Sequence, residues 1–117
     1  METADFQRVQ RMMRYCEDIS DTINRFGENE AMFFSDKDYR NSIAMSILQI
    51  GELSIGLSDE FKFYTRKRVF WGPLKGMRNY VAHKYARLDM QTVWDTAVND
   101  IPTLLEFCND ILEEHTP

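Results

Sequence analysis

Apolar residues recur three and four positions apart through most of this chain, and no stretch sustains the period-two alternation of a half-buried strand. That periodicity confines the chain to helices. Between Asp5 and Phe26 the residues Phe6, Val9, Met12, Met13, Cys16, Ile19 and Ile23 form one stripe of an amphipathic helix, and Gly27 is placed to end it. After a short polar stretch, Ser35 or Asp36 can cap a second long helix to about Leu57. Its centre, from Ile43 to Leu53, is apolar nearly all round, which predicts the central buried helix. Ser46, Gly51, Ser54 and Gly56 are small enough to admit another helix, either from the same chain or from a second copy. From Ser58 to Gly72 the periodicity breaks, predicting a short helix or turn followed by a loop. Pro73 suits the first turn of a third helix to about Tyr85, where its missing N–H costs nothing. Asp89 can cap a fourth, reaching about Glu114, with Val93, Trp94, Ala97, Ile101, Leu104, Leu105, Cys108, Ile111 and Leu112 on its inner face. Pro102 lies within it, so that helix either kinks or restarts with Asp100 as cap. The expected architecture is an all-α, up-and-down bundle.

The length of 117 residues predicts one domain spanning 1–117, and 44% apolar with 13% aromatic residues is too much for a disordered chain. No apolar run approaches the roughly 18 residues of a membrane span, and charges interrupt the apolar residues from Met1 to Arg14. The chain therefore reads as cytoplasmic, with no membrane partner. Cys16 and Cys108 have no CxxC spacing and read as free thiols within helices. His83 and His115 lack zinc-ligand spacing, and Gly72 and Gly76 lack the GK[ST] ending of a phosphate loop. Neither a metal nor a cofactor is expected. Asp36 and Asp38 read as helix-capping acids, Trp71 and Trp94 as core anchors, and Glu52 as either a polar partner of a cleft or a satisfied structural carboxylate.

The charge is unevenly spread. Eight basic residues, Lys62, Arg66, Lys67, Arg68, Lys75, Arg78, Lys84 and Arg87, fall between 62 and 87 with no acid among them. The remaining 91 residues hold six basic and all 19 acidic residues, a balance of −13. Such runs usually pair with acids on neighbouring helices. Here the cations are interleaved with Phe63, Tyr64, Phe70, Trp71, Tyr80 and Tyr85, a pattern that suits a polyanion such as RNA.

On a wheel of about 100° per residue with Arg78 at zero, Lys75 falls near 60°, Asn79 near 100° and His83 near 140°. Ala82 and Ala86 leave room between them, and Leu74, Met77, Val81 and Leu88 form the opposite, core-facing stripe. Arg78 and His83 are too far apart in angle to converge except through the long arginine side chain or across a dimer. An imidazole moves protons near neutral pH, and a guanidinium holds phosphate through paired donors. Together they can support metal-free attack of a ribose 2′-hydroxyl on its own phosphodiester. The same cation and amide would equally serve a module that binds a nucleotide or a partner protein without catalysis.

The run Trp71-Gly-Pro-Leu-Lys-Gly-Met-Arg78-Asn79-Tyr-Val-Ala-His83-Lys-Tyr85 resembles the signature of the HepT-like branch of HEPN domains. Ile50-Gly51-Glu52, Asp89 followed by Val93-Trp94, and Asp100-Ile101-Pro102 followed by Leu104-Leu105 occur in the order that branch shows, extending the likeness over about residues 5 to 114. The resemblance implies a four- or five-helix bundle that forms a homodimer with a shared cleft. It further implies an RNase toxin whose antitoxin is a minimal nucleotidyltransferase of the MntA kind. Arg78, Asn79 and His83 match the family's catalytic positions, and Tyr85 matches the tyrosine to which the antitoxin adds AMP. Lys75, Arg66, Lys67, Arg68, Lys84 and Arg87 would then hold the RNA. Lys84 stands where an acid is common in the family, a departure that touches partner contacts rather than the catalytic pattern.

Overall fold

The structure is a computed structural model, and it describes residues 1–74 and 89–116. Among these residues all regular structure is helical. Helix α1 spans Thr3–Phe26, α2 Glu30–Ser35, α3 Lys37–Gly56 and α4 Asp59–Tyr64. Residues 71–74 are again helical. Beyond Asp89, α5 covers Met90–Asp95 and α6 Ile101–Glu114. Helices α1, α3 and α6 form the frame, with α1 packed against both of the others.

Helix α1 ends because Gly27 takes φ +96°, a conformation that an L side chain disfavours, while its N–H still donates to the Ile23 carbonyl. The carbonyl of Gly27 accepts the Tyr39 hydroxyl at 3.0 Å, so this bend is tied to the start of α3. The segment expected to be a polar connection instead contains α2, capped by Asn29, whose side chain accepts from the Met32 N–H. Phe33 drives that turn, since it is fully buried between Tyr39 and Trp94. Asp36 caps α3 through the N–H groups of Asp38 and Tyr39, which settles the DxD arrangement as capping.

Two expectations need correction. Helix α3 buries Ile43, Ala44, Ile47, Ile50 and Leu53, yet Met45 is 56% and Ile55 37% exposed, and Glu52 lies on the open side. Its all-round apolarity therefore describes a helix buried on one side only. Of its small residues, Gly51 and Ser54 are buried within the chain, and a Cβ on Gly56 would come within 2.6 Å of Arg8 Nε. The last helical segment does not restart from a capping Asp100 side chain, which makes no cap bond. Instead a turn of π-helix, Thr96–Asp100, joins α5 to α6, and the Ile101 N–H donates to the Thr96 carbonyl five residues back. That wider turn sets Pro102 in the first turn of α6, where no N–H is required.

The core joins Val9, Met12, Cys16 and Ile19 of α1 to the inner residues of α3, α5 and α6. Phe107 belongs to it as well, 5% exposed, one position from the stripe read in the sequence. The fold needs no buried side-chain polar atom left unpaired among the described residues. No described helix is long and apolar enough to cross a membrane.

Candidate nucleic-acid interface

Of the cationic segment, the structure describes Lys62, Arg66, Lys67 and Arg68. Lys75, Arg78, Asn79, His83, Lys84, Tyr85 and Arg87 lie outside the described residues. What can be built from the residues upward is the platform that leads into them.

The platform begins at a clamp between distant parts of the sequence. Asp5, 2% exposed, accepts the Ser58 N–H at 2.9 Å and the Ser58 hydroxyl at 2.6 Å. The same Ser58 oxygen accepts from the Phe61 N–H and so caps α4. An acid on the inner side of α1 is satisfied by this bond and fixes where α4 starts. The sequence carried the signal: Asp5 sits four residues before Val9 on the apolar stripe, a place where a carboxylate requires a partner.

Helix α4 then divides its aromatics. Phe61 turns inward at 5% exposure, whereas Phe63 and Tyr64 remain 66% and 65% exposed. Thr65, fully buried, stops the helix: its hydroxyl donates to the Phe61 carbonyl at 2.8 Å and accepts from Trp71 Nε1 at 3.0 Å. Trp71 in turn packs edge-on against Phe107, with ring centroids 5.8 Å apart. The Arg68 and Val69 N–H groups close the turn on the Thr65 carbonyl. A basic turn is thus held on a rigid aromatic base.

Its cations differ in what they touch. The Arg66 guanidinium lies 3.9 Å from the centroid of the Phe63 ring, and its Nη1 donates to the Phe63 carbonyl at 2.8 Å. Arg68 reaches Glu114 at 3.2 Å and is the described cation of this cluster that does find an acid. Lys62 and Lys67 make no ion pair among the described residues. Beside the platform, α4, the start of α1 and His115 enclose an open groove of about 690 Å³.

No cluster of three or more potential metal ligands occurs among the described residues. Nor do the thiols suit chemistry: burial pushes Cys108 up to about 12, and Cys16 is raised still further by burial, by the neighbouring Cys108 and by Glu17. Both are free and buried.

At the other edge of the undescribed stretch, Asp89 caps α5 by accepting from the Gln91 N–H at 3.0 Å and the Thr92 hydroxyl at 3.0 Å. Trp94, 7% exposed, anchors the following turn in the core as expected. The chain entering and leaving residues 75–88 is therefore tied down on both sides.

Comparison with known proteins extends beyond these residues. The family model described as "Ribonuclease HepT-like" matches residues 12–111. A protein of Caldanaerobacter subterraneus subsp. tengcongensis that carries RNase in its name is 24% identical over 91% of this chain and 92% of its own length. "Probable ribonuclease HepT" of Thermococcus cleftensis is 28% identical over 77% of this chain and 86% of its own. A Methanocaldococcus jannaschii protein, also with RNase in its name, is 25% identical over 83% of this chain and 78% of its own. No solved structure matches at a comparable level.

Proposed function

Since this chain belongs to the HepT-like family of ribonucleases, we propose that it is the toxin half of a toxin–antitoxin pair, cleaving RNA without a metal ion through Arg78, Asn79 and His83. The observation that carries this reading is the run Arg78-Asn79-x3-His83-x-Tyr85, which falls inside the matched segment 12–111. In this mechanism Arg78 holds the scissile phosphate through paired N–H donors, and Asn79 orients it. His83 takes the proton of the 2′-hydroxyl as that oxygen attacks phosphorus. The departing 5′-oxygen is protonated in turn, leaving a 2′,3′-cyclic phosphate. Positive charge around the phosphorane stabilises it, and Lys75, Lys84, Arg87, Arg66, Lys67 and Arg68 extend that field along the RNA. Arg68 would have to exchange Glu114 for a phosphate to take part.

A homodimer accounts for the wide angle between Arg78 and His83, and the exposed Met45 and Ile55 of α3 supply apolar surface on which two copies could meet. The antitoxin in this reading is a minimal nucleotidyltransferase that adds AMP to the Tyr85 hydroxyl. The added phosphodiester would pair with Arg78 or Lys75 and occupy the place of the substrate phosphate.

The experiment is digestion of RNA in EDTA by wild type and by a folded His83→Ala variant. Cleavage should fall by about 10² to 10⁴ in the variant. Equal activity would remove His83 from the mechanism, and inactivity of both would favour a non-catalytic nucleotide- or protein-binding module. Coexpression with the nucleotidyltransferase, read by peptide mass spectrometry, should find AMP on Tyr85; neutralisation with Tyr85 unmodified would mean inhibition by complex formation alone.

A further inference from the structure

Three large aromatic rings stand open to solvent around one basic turn: Phe63 and Tyr64 at about two-thirds exposure and Phe70 at 83%. They are not there for want of a core, because Phe61 and Trp71, in the same stretch of sequence, pack against each other, and Trp71 packs in turn against Phe107. The fold thus sorts this segment into rings that hold it and rings that face outward. The outward set is framed by Lys62, Arg66 and Lys67, which meet no acid among the described residues. Phe63, Tyr64 and Arg66 also line the groove of about 690 Å³ beside α4.

Acids line that groove as well: Glu2 and Asp5 from the start of the chain, Asp5 held by Ser58, and Glu60 one turn before Phe63 and Tyr64 on α4. A phosphate would be repelled by those acids yet attracted to Arg66 in the groove wall and to the exposed Lys67 beside it in sequence. An uncharged, flat group can enter where a phosphate cannot. Charge and shape together therefore describe a chain that carries phosphates outside and inserts a planar ring. We infer that the groove and its exposed aromatics form a substrate-holding site for single-stranded RNA, taking an unpaired base against Phe63 or Tyr64 while the flanking phosphates lie on Arg66 and Lys67. The Arg66 guanidinium, already stacked 3.9 Å from Phe63, extends the surface on which a base can lie. Duplex RNA keeps its bases stacked inside the helix and presents no free face to such a site. The site rests on the ribonuclease reading for its substrate but uses none of the residues assigned to cleavage.

The test uses a fluorescein-labelled 2′-O-methyl oligoribonucleotide of mixed sequence, which has no free 2′-hydroxyl and reports binding whether or not the protein cleaves RNA. Anisotropy is measured with the full chain as wild type and as the double variant Phe63→Leu with Tyr64→Leu, which keeps apolar bulk but removes the ring faces. Affinity for the single strand should fall about 10-fold, the scale of one lost base stack. The same sequence as a duplex should bind wild type more weakly and be unaffected by the double variant. Unchanged single-strand affinity in the variant, equal losses for both forms, or no binding by wild type would each overturn the site. If RNA affinity holds while the variant abolishes self-association in sedimentation, the patch is a protein interface and the inference falls. Cleavage of a long unmodified single-stranded RNA in EDTA separates the two readings. Should wild type fail to cleave it yet bind the oligonucleotide through Phe63 and Tyr64, the catalytic reading fails and the binding site stands.

Discussion

Two aromatic clusters in this protein are built from the same residue types and have opposite fates. Phe26, Phe33, Tyr39 and Trp94 close on one another, with Phe26 stacked on Tyr39 at 4.7 Å and Phe33 against Trp94 at 5.0 Å. Phe63, Tyr64 and Phe70 remain open. The difference does not lie in hydrophobicity. The closed cluster gathers rings from four elements, α1, α2, α3 and α5, and its one hydroxyl is satisfied by Gly27. The open cluster comes from one short stretch of chain whose inward positions are already taken by Phe61 and Trp71, and cations surround it. Burying the open rings would mean burying Arg66 and Lys67 with them, which desolvation forbids without partner acids.

The largest separation between the two clusters should appear in stability. Phe33→Ala removes a fully buried ring and should cost about 3–5 kcal/mol, while Tyr64→Ala should stay within about 0.5 kcal/mol of wild type in urea denaturation. A comparable loss in both would erase the distinction.

A second contrast comes from alkaline pH. The fold holds Cys108 protonated by burial, with its pKa up at about 12 from an ordinary 9.0, and Cys16 and Tyr39 are shifted the same way, Tyr39 by burial and by Glu28. A raised folded pKa contributes stability that is intact below about pH 9 and is lost as pH climbs toward 12, because the unfolded chain releases its protons first. Between pH 9 and 11 the unfolding free energy of wild type should fall more steeply than that of Cys108→Ala, by about 1.4 kcal/mol per pH unit. Parallel curves would mean that the thiol ionises as freely in the fold as outside it.

The smallest effect sharpens the basic side alone. Arg68→Ala breaks an exposed pair with Glu114 and should cost at most about 1 kcal/mol, whereas Lys67→Ala should leave stability unchanged and lower the salt dependence of RNA binding by about one unit of slope. Salt titrations by anisotropy check this. If both variants change the slope alike, the ion pair does not withhold Arg68 from RNA.

Much of the architecture could be read from the residues before any coordinates. Gly27 as a stop, Asp36 and Asp89 as caps and the inner stripes of α1 and α6 all follow from local chemistry, and the structure has them. Helix α2 leaves no periodic signal because six residues are too few to show a period, and Phe33 alone supplies its reason. The candidate catalytic residues were legible only as a spacing within a family signature. For the basic segment, the sequence offered six aromatic residues as equals, and Trp71 was separable by its role as a core anchor but Phe63, Tyr64 and Phe70 were not separable from the rest.

By itself, then, the sequence determined the helical class, most of the helix ends, the family and the concentration of positive charge in one segment, since each depends on neighbours within a few turns or on a motif written contiguously. Tertiary structure alone decided which side of α3 stays open, how Pro102 is absorbed by a π-turn, that Asp5 reaches Ser58, and that Arg68 finds Glu114 while Lys67 does not. Each of those outcomes joins residues from different elements or depends on what neighbouring elements leave uncovered. Periodicity tells which face of a helix is apolar, but only the packed neighbours determine how much of that face is covered and which charges meet.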